Sequence, residues 1–327
     1  MQLLSQITLP LYIWAEEASD LLGDSMVGSS FRNLQRKVST WAAWSMTDAL
    51  KRELILEDAE GKLERIAIQA SEDSLPYLCQ SLEDLTHWHL VDYQHRSLNQ
   101  RERHPELLVA AAAHARAQVD VASLLIGKGL GAQFSCMMLP DTAAVSLGLC
   151  LLAARRAEVR VLFHQLRAGL DTQLLDLRND GRPGAGTIYR HFWFLMLLCA
   201  AAFKERIDLH NYSTPTTMGP YADALASWDT ENVGQVDDLV SALAEFHVQQ
   251  ARNRSANDIR EFDREDRMIF PYEILGWLRL REWAGRANPS AFSHPLMNQP
   301  LAWLPAEPVP AWTTPMLDQA LAAAKGF

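Results

Sequence analysis

Cysteine is scarce in this chain. Cys79, Cys136, Cys150 and Cys199 are the only four in 327 residues, all in apolar surroundings and without CxxC or Cys/His spacing. That pattern argues against a disulfide framework and a structural zinc site, and predicts buried thiols in a reducing compartment. Cations are also short: 30 Lys and Arg stand against 40 Asp and Glu, a net charge of −10. Neutralising phosphates requires a basic face, so a nucleic-acid partner is not expected, whereas a basic protein partner is allowed. No Lys or Arg precedes Arg32, so the charged n-region of a secretory signal is missing and a cytoplasmic location is expected. The uncharged apolar block Phe192–Phe203 is 12 residues long. A membrane span needs roughly 20, so this block reads as a core helix and no membrane association is expected. Strand-like alternation and repeats of fixed period are missing, and so is the Gly-x-Ser-x-Gly elbow of serine hydrolases. The glycines of Gly127-Lys-Gly-Leu-Gly131 lack the Gly-x4-Gly-Lys-Ser/Thr order of a phosphate loop and read as a helix end and turn.

What is present is helical. Hydrophobic residues make up 48% of the chain and ten are tryptophans, enough for a sizeable core. The most continuously apolar part, residues 141–206, is the stretch around which the rest is organised. Pro10 and Gly23 bracket a short helix over 10–22, and an amphipathic stripe from Phe31 extends a second to about Leu54. Glu57–Gly61 reads as a turn. Helices are predicted from Asp73 to about Leu98 and from Pro105 to Gly127. Asp141 is placed as an N-cap. The stretch Leu147–Leu166 fits either two antiparallel helices or one longer one. Asp176–Gly186 is a loop, and Thr187 caps the apolar helix that ends at Lys204–Arg206. Further helices are predicted over Pro220–Trp228, from Val236 to about Ala251, from Pro271 to near Gly285, and from Pro315 through Lys325. Seven of the 15 prolines fall between Pro289 and Pro315, so residues 286–312 form an irregular wrap. The expected fold is all-α, a multi-helix bundle or an irregular α-solenoid-like stack with a Pro-rich C-terminal wrap. It is expected to be a single domain over 1–327, with packing as two halves, 1–131 and 132–327, left open.

Charge is unevenly spread. From Ile207 to Ala251 there is no Lys or Arg, while Asp208, Asp223, Asp229, Glu231, Asp237, Asp238 and Glu245 contribute −7. Asp238 and Glu245, seven apart, fall on the helix face opposite Val236, Leu239 and Leu243 and are expected to face solvent. Such a stretch is either an ordinary solvated face or a docking surface for a basic partner, whose association it would accelerate. Met1–Phe31 and Ile66–His95 are likewise free of Lys and Arg. Asp84-x-x-His87 and Asp92-x-x-His95 place a carboxylate and an imidazole side by side on one helix, the basis of an alternative reading as a metal-dependent helical enzyme. His191 and His164 read as hydrogen-bonded core histidines. Asp258–Arg267 holds five acids and three arginines and is expected to form exposed internal ion pairs, each contributing about 0–1 kcal/mol. The tryptophans read mainly as packing residues.

Three segments resemble the C-terminal half of helical immunity proteins from bacterial polymorphic-toxin and type VI secretion systems: Tyr221–Asp229, Ile269–Trp283 and His294–Pro305. In style the resemblance covers residues 140–305. It implies a non-catalytic cytoplasmic inhibitor that binds a cognate effector, without cofactor or metal. No family interface motif matches position by position, so the resemblance assigns no contact residues. The acidic stretch supplies them independently: Asp229, Glu231, Asp237, Asp238 and Glu245 are the expected partner-binding residues, and the negative field favours a basic, nuclease-like toxin masked at its active site. A helical scaffold or adaptor remains a further alternative.

Overall fold

The computed structural model describes residues 31–130, 136–179, 185–252, 260–307, 309 and 314–326. The helix expected over 10–22 lies outside them. The described residues are α-helical with short 3-10 and π turns, and the one β feature among them is an isolated bridge between Arg178 and Tyr212. The helices are α1 (Phe31–Thr47), α2 (Asp58–Ile68), α3 (Leu75–His95), α4 (Pro105–Gly127), α5 (Pro140–Leu152), α6 (Arg156–Gly169), α7 (Arg190–Phe203), α8 (Pro220–Ala226), α9 (Val233–Gln250), α10 (Tyr272–Trp283) and α11 (Pro315–Gly326). Proline opens α4, α5, α8 and α11, where its missing N–H has no intrahelical acceptor to lose.

Helix α5 is the centre. Every residue of it except Thr142 is buried, and so is each of the ten residues Tyr272–Arg281 of α10. These two helices cross closely because Gly148 and Gly276 carry no side chain: a Cβ on Gly148 would lie 2.6 Å from Cδ2 of Tyr272, and one on Gly276 would lie 3.0 Å from Cδ1 of Leu151. Helix α7 packs on both. On one side α4 joins α5 to α3, the most extensive helix pair of the fold, and α1 lies at the edge against α3. Helix α4 has the length and hydropathy of a membrane span, but 67% of that window is buried inside the fold, the position of a core helix. The last helix, α11, returns to pack on α2 and α4. Contacts between elements so distant in sequence are those of a bundle, since a solenoid's repeats touch only their neighbours. One apolar core runs from Leu34 in α1 to Ala324 in α11.

Local expectations are corrected at several points. Glu57–Gly61 is helix: Asp48 caps a short turn by accepting from the N–H of Leu50 and Lys51, a π turn spans Arg52–Glu57, and α2 follows directly. Burial of Ala59, Leu63 and Ile66 holds Gly61 in that helix despite its low propensity. The stretch after Leu147 is two helices, broken at Ala154, whose φ is 56°. Thr187 sits in a separate 3-10 turn, and α7 begins at Arg190 behind Tyr189. That helix stops at Phe203, with Lys204 in the left-handed region at φ 59°. Asp141 is not a cap but the second residue of α5, buried. Cys79, Cys150 and Cys199 are buried as expected, whereas Cys136 is half-buried.

Candidate functional site

The expected acidic surface sits on α8, α9 and their connecting turn. Asn232 caps α9, accepting from the N–H of Gln235, and Val236, Val240, Leu243 and Ala244 bury the inner face. Asp238 and Glu245 face solvent on the other side, as the helical spacing requires. The turn before α9 is held by α10. The indole Nε1 of Trp277 donates to the carbonyl of Trp228 at 3.0 Å, and the fully buried Arg281 donates to the same carbonyl at 2.9 Å and to that of Thr230 at 3.0 Å. Between those two carbonyls Asp229 projects to solvent.

The C-terminal wrap engages part of this surface. Glu231 pairs with Arg286, Asp237 accepts from both the backbone N–H (3.0 Å) and the hydroxyl of Ser293, and Glu245 lies 3.4 Å from the imidazole of His294. Asp237 is therefore not an exposed carboxylate but a half-buried anchor for the wrap, because residues 286–294 run back along α9. Glu231 and Glu245 stay open despite their partners, with side chains 81% and 60% exposed. Among the described residues, Asp223 and Asp238 are exposed and make no side-chain ion pair.

The two Asp-x-x-His pairs do not form. His87 turns to Asp266, 3.1 Å from Nδ1 to Oδ2, and Arg264 lies beside both. Asp92 is taken by Arg96 at 2.8 Å, and His95 hydrogen-bonds Asn99 and Gln100 instead. Among the described residues no three His, Cys, Asp or Glu side chains are placed to hold a metal ion together. Asp84 is left half-buried with Gln80 as its hydrogen-bond donor, and burial pushes its carboxyl up to about 6. His164 is exposed, reaching Glu205 at 3.3 Å, and is no core histidine.

The densest set of ionisable groups is buried instead. Glu261 accepts from the backbone N–H of His191 at 3.0 Å, lies 2.9 Å from its Nδ1, and takes an N–H of Arg190 at 3.0 Å. His191 Nε2 is 3.3 Å from Asp141, which pairs on its other oxygen with Arg267. The carbonyl of Arg267 meets His247 Nε2 at 3.0 Å, and His247 Nδ1 meets Glu273 at 2.7 Å. The Phe262 ring stacks on His247 at 3.7 Å. Next to Arg267, Asp266 is buried too; desolvation would raise its carboxyl, but Arg264 and then His87 outweigh that and hold it at about 2. Within Asp258–Arg267, expected to form exposed pairs, Arg264 and Glu265 keep part of their side chains in solvent, while the pairs of Glu261 and Arg267 are core pairs: Glu261, Asp266, Arg267, Glu273, His191 and His247 are all 0–3% exposed. Solvent does not reach these carboxylates and imidazoles, so their geometry joins α5, α7, α9 and α10 to the segment between Arg260 and Pro271. The stretch had one local signal, the lone carboxylate of Phe270-Pro-Tyr-Glu-Ile-Leu275 in an apolar run.

Comparison with protein-family models, curated proteins and solved structures found no match.

Proposed function

We propose that this chain is a non-catalytic immunity protein that binds a cognate basic effector through the acidic surface of α8 and α9 and masks its active site. The observation that carries the reading is the set Asp223, Asp229, Glu231, Asp238 and Glu245, all solvent-facing, within a 207–251 stretch that holds no Lys or Arg. Such a field accelerates encounter with a basic surface and repels acidic ones. The turn that presents Asp229 is fixed by Trp277 and Arg281, so little conformational freedom is lost when a partner docks. The resemblance of Tyr221–Asp229, Ile269–Trp283 and His294–Pro305 to immunity proteins supports the same reading, although it assigns no contact residues.

The test is association kinetics with the product of the neighbouring gene, made as an inactive variant. Asp229→Lys/Asp238→Lys is expected to lower the association rate about tenfold or more at low salt, and less at high salt, with the fold intact. Rates unchanged by this reversal would remove the acidic surface from the interface.

A further inference from the structure

Helix α6 carries a basic outer face in a chain whose net charge is −10. Val159, Leu162, Phe163 and Leu166 bury its inner side. On the outer side Arg156, Arg160, His164 and Arg167 follow one another at intervals of four, four and three residues, all exposed. Glu158 is the only acid of the helix, and Arg155 takes it at 3.1 Å. Glu205, just past the end of α7, holds Arg167 at 2.6 Å and lies 3.3 Å from His164, yet the Arg167 side chain stays 43% exposed. With the exposed Lys204 and Arg206 on either side of Glu205, the cations outnumber Glu205, Asp171 and Asp208, the acids nearest in sequence.

We propose that this face seats the outer face of α9 from a second copy of the chain. The spacing of charge matches. Arg160 and Arg167 are seven residues apart on α6, and Asp238 and Glu245 are seven apart on α9. Each pair therefore spans about 10 Å along its helix, and two carboxylates meet two guanidinium groups whichever way the helices run. The ground beside the charges is small on both helices. Ala157, Val161 and Ala168 border the arginines, with Val161 50% exposed, and the exposed Ala242 lies between Asp238 and Glu245. Small side chains let the two helices approach to the roughly 8–10 Å of packed pairs while the long charged side chains reach across. The contact is not made within one copy, where α6 packs on α4, α5 and α7, and α9 on α8, α10 and the wrap. Because the two faces differ, copies join head to tail. The contact uses carboxylates that the functional reading gives to a basic effector, so the two bindings exclude one another. It needs no effector, however, and neither does its test.

Sedimentation equilibrium of the full chain is that test. Exposed ion pairs are individually weak, so in about 0.1 M salt the mean mass should rise above the monomer at about 100 µM chain and higher. In about 1 M salt, where the Debye length falls to about 3 Å, it should return to the monomer value. Arg160→Glu/Arg167→Glu and Asp238→Lys/Glu245→Lys should each be monomeric alone, with unchanged helical circular dichroism. Mixed in equal amounts they should regain the higher mass, because each reversed α6 then meets a reversed α9 and each unaltered α6 an unaltered α9. Should a reversal perturb the fold, Arg160→Gln/Arg167→Gln and Asp238→Asn/Glu245→Gln test the same loss of association. A chain still monomeric at about 500 µM would overturn the proposal. So would association that persists in high salt, that survives either reversal, or that the mixture does not restore.

Discussion

Single ionisable side chains carry the most direct consequences. Burial holds the Asp84 carboxyl at about 6, raised from 3.8, so the folded chain binds a proton there more tightly than the unfolded chain does. Its stabilising contribution is complete below pH 3.8 and is lost as pH rises through about 6. Asp84→Asn keeps the acceptor for Gln80 and removes the buried charge, so it should raise stability at pH 7.5 by about 1–3 kcal/mol and give no gain near pH 4, read from urea midpoints at both pH values. The stacked rings of His89 and His114, 5.1 Å apart, behave oppositely. Burial lowers His89 to about 4 and His114 to about 3, the latter further opposed by its stacked neighbour. Their folded values lie below the ordinary 6.5, so the unfolded chain takes up protons first and stability falls as pH drops from 6.5 towards 4. His89→Phe keeps a ring in the stack and should reduce that fall by up to about 1.4 kcal/mol per pH unit, seen by comparing thermal midpoints at pH 7 and pH 5. An unaltered slope would mean other groups set it.

At the scale of elements, two features hold the centre. Gly148→Ala would drive a methyl into the Tyr272 ring where α5 crosses α10. We expect it to cost about 1–3 kcal/mol, measurable as a lowered urea midpoint with an unchanged m-value. Glu261→Ala removes the acceptor of the half-buried Arg190 and of both His191 groups, and leaves those of His191 buried. Its expected cost is larger, about 3–5 kcal/mol. The helices themselves were legible in the sequence because an apolar stripe is a local pattern, and α1, α3, α4, α9 and α10 follow theirs. Glu57–Gly61 was misread because a glycine beside charges looks like a turn when the packing of Leu63 and Ile66 is not in view. The buried ion pairs were illegible for a related reason. His191 and Glu261 are separated by 70 residues, and the partners of Asp141 are likewise brought to it by tertiary structure. Residue spacing along one helix suggested Asp84 with His87 and Asp92 with His95, but the fold offers His87 a closer carboxylate in Asp266 and gives Asp92 to Arg96.

For the whole molecule, charge organisation is the main functional clue. A chain with net charge −10 keeps its fully buried carboxylates in pairs and leaves those of α8 and α9 other than Asp237 open, with Arg286 and His294 of the wrap as nearby counter-groups. The acidic surface was readable in composition alone. Its division of labour was not: Asp237 ties down the wrap, Glu231 and Glu245 serve both the wrap and solvent, and Asp223, Asp229 and Asp238 are open. Substitutions that probe binding therefore belong at Asp229 and Asp238, and those at Asp237 would confound binding with loss of the wrap. The measurement that bears most directly on an immunity function is titration of the full chain into the inactivated product of the neighbouring gene, paired with an assay of the active form. The account predicts a one-to-one complex with nanomolar affinity that silences the active effector, and both effects weakened by Asp229→Lys/Asp238→Lys. No complex, or a complex that leaves the effector active, would contradict it.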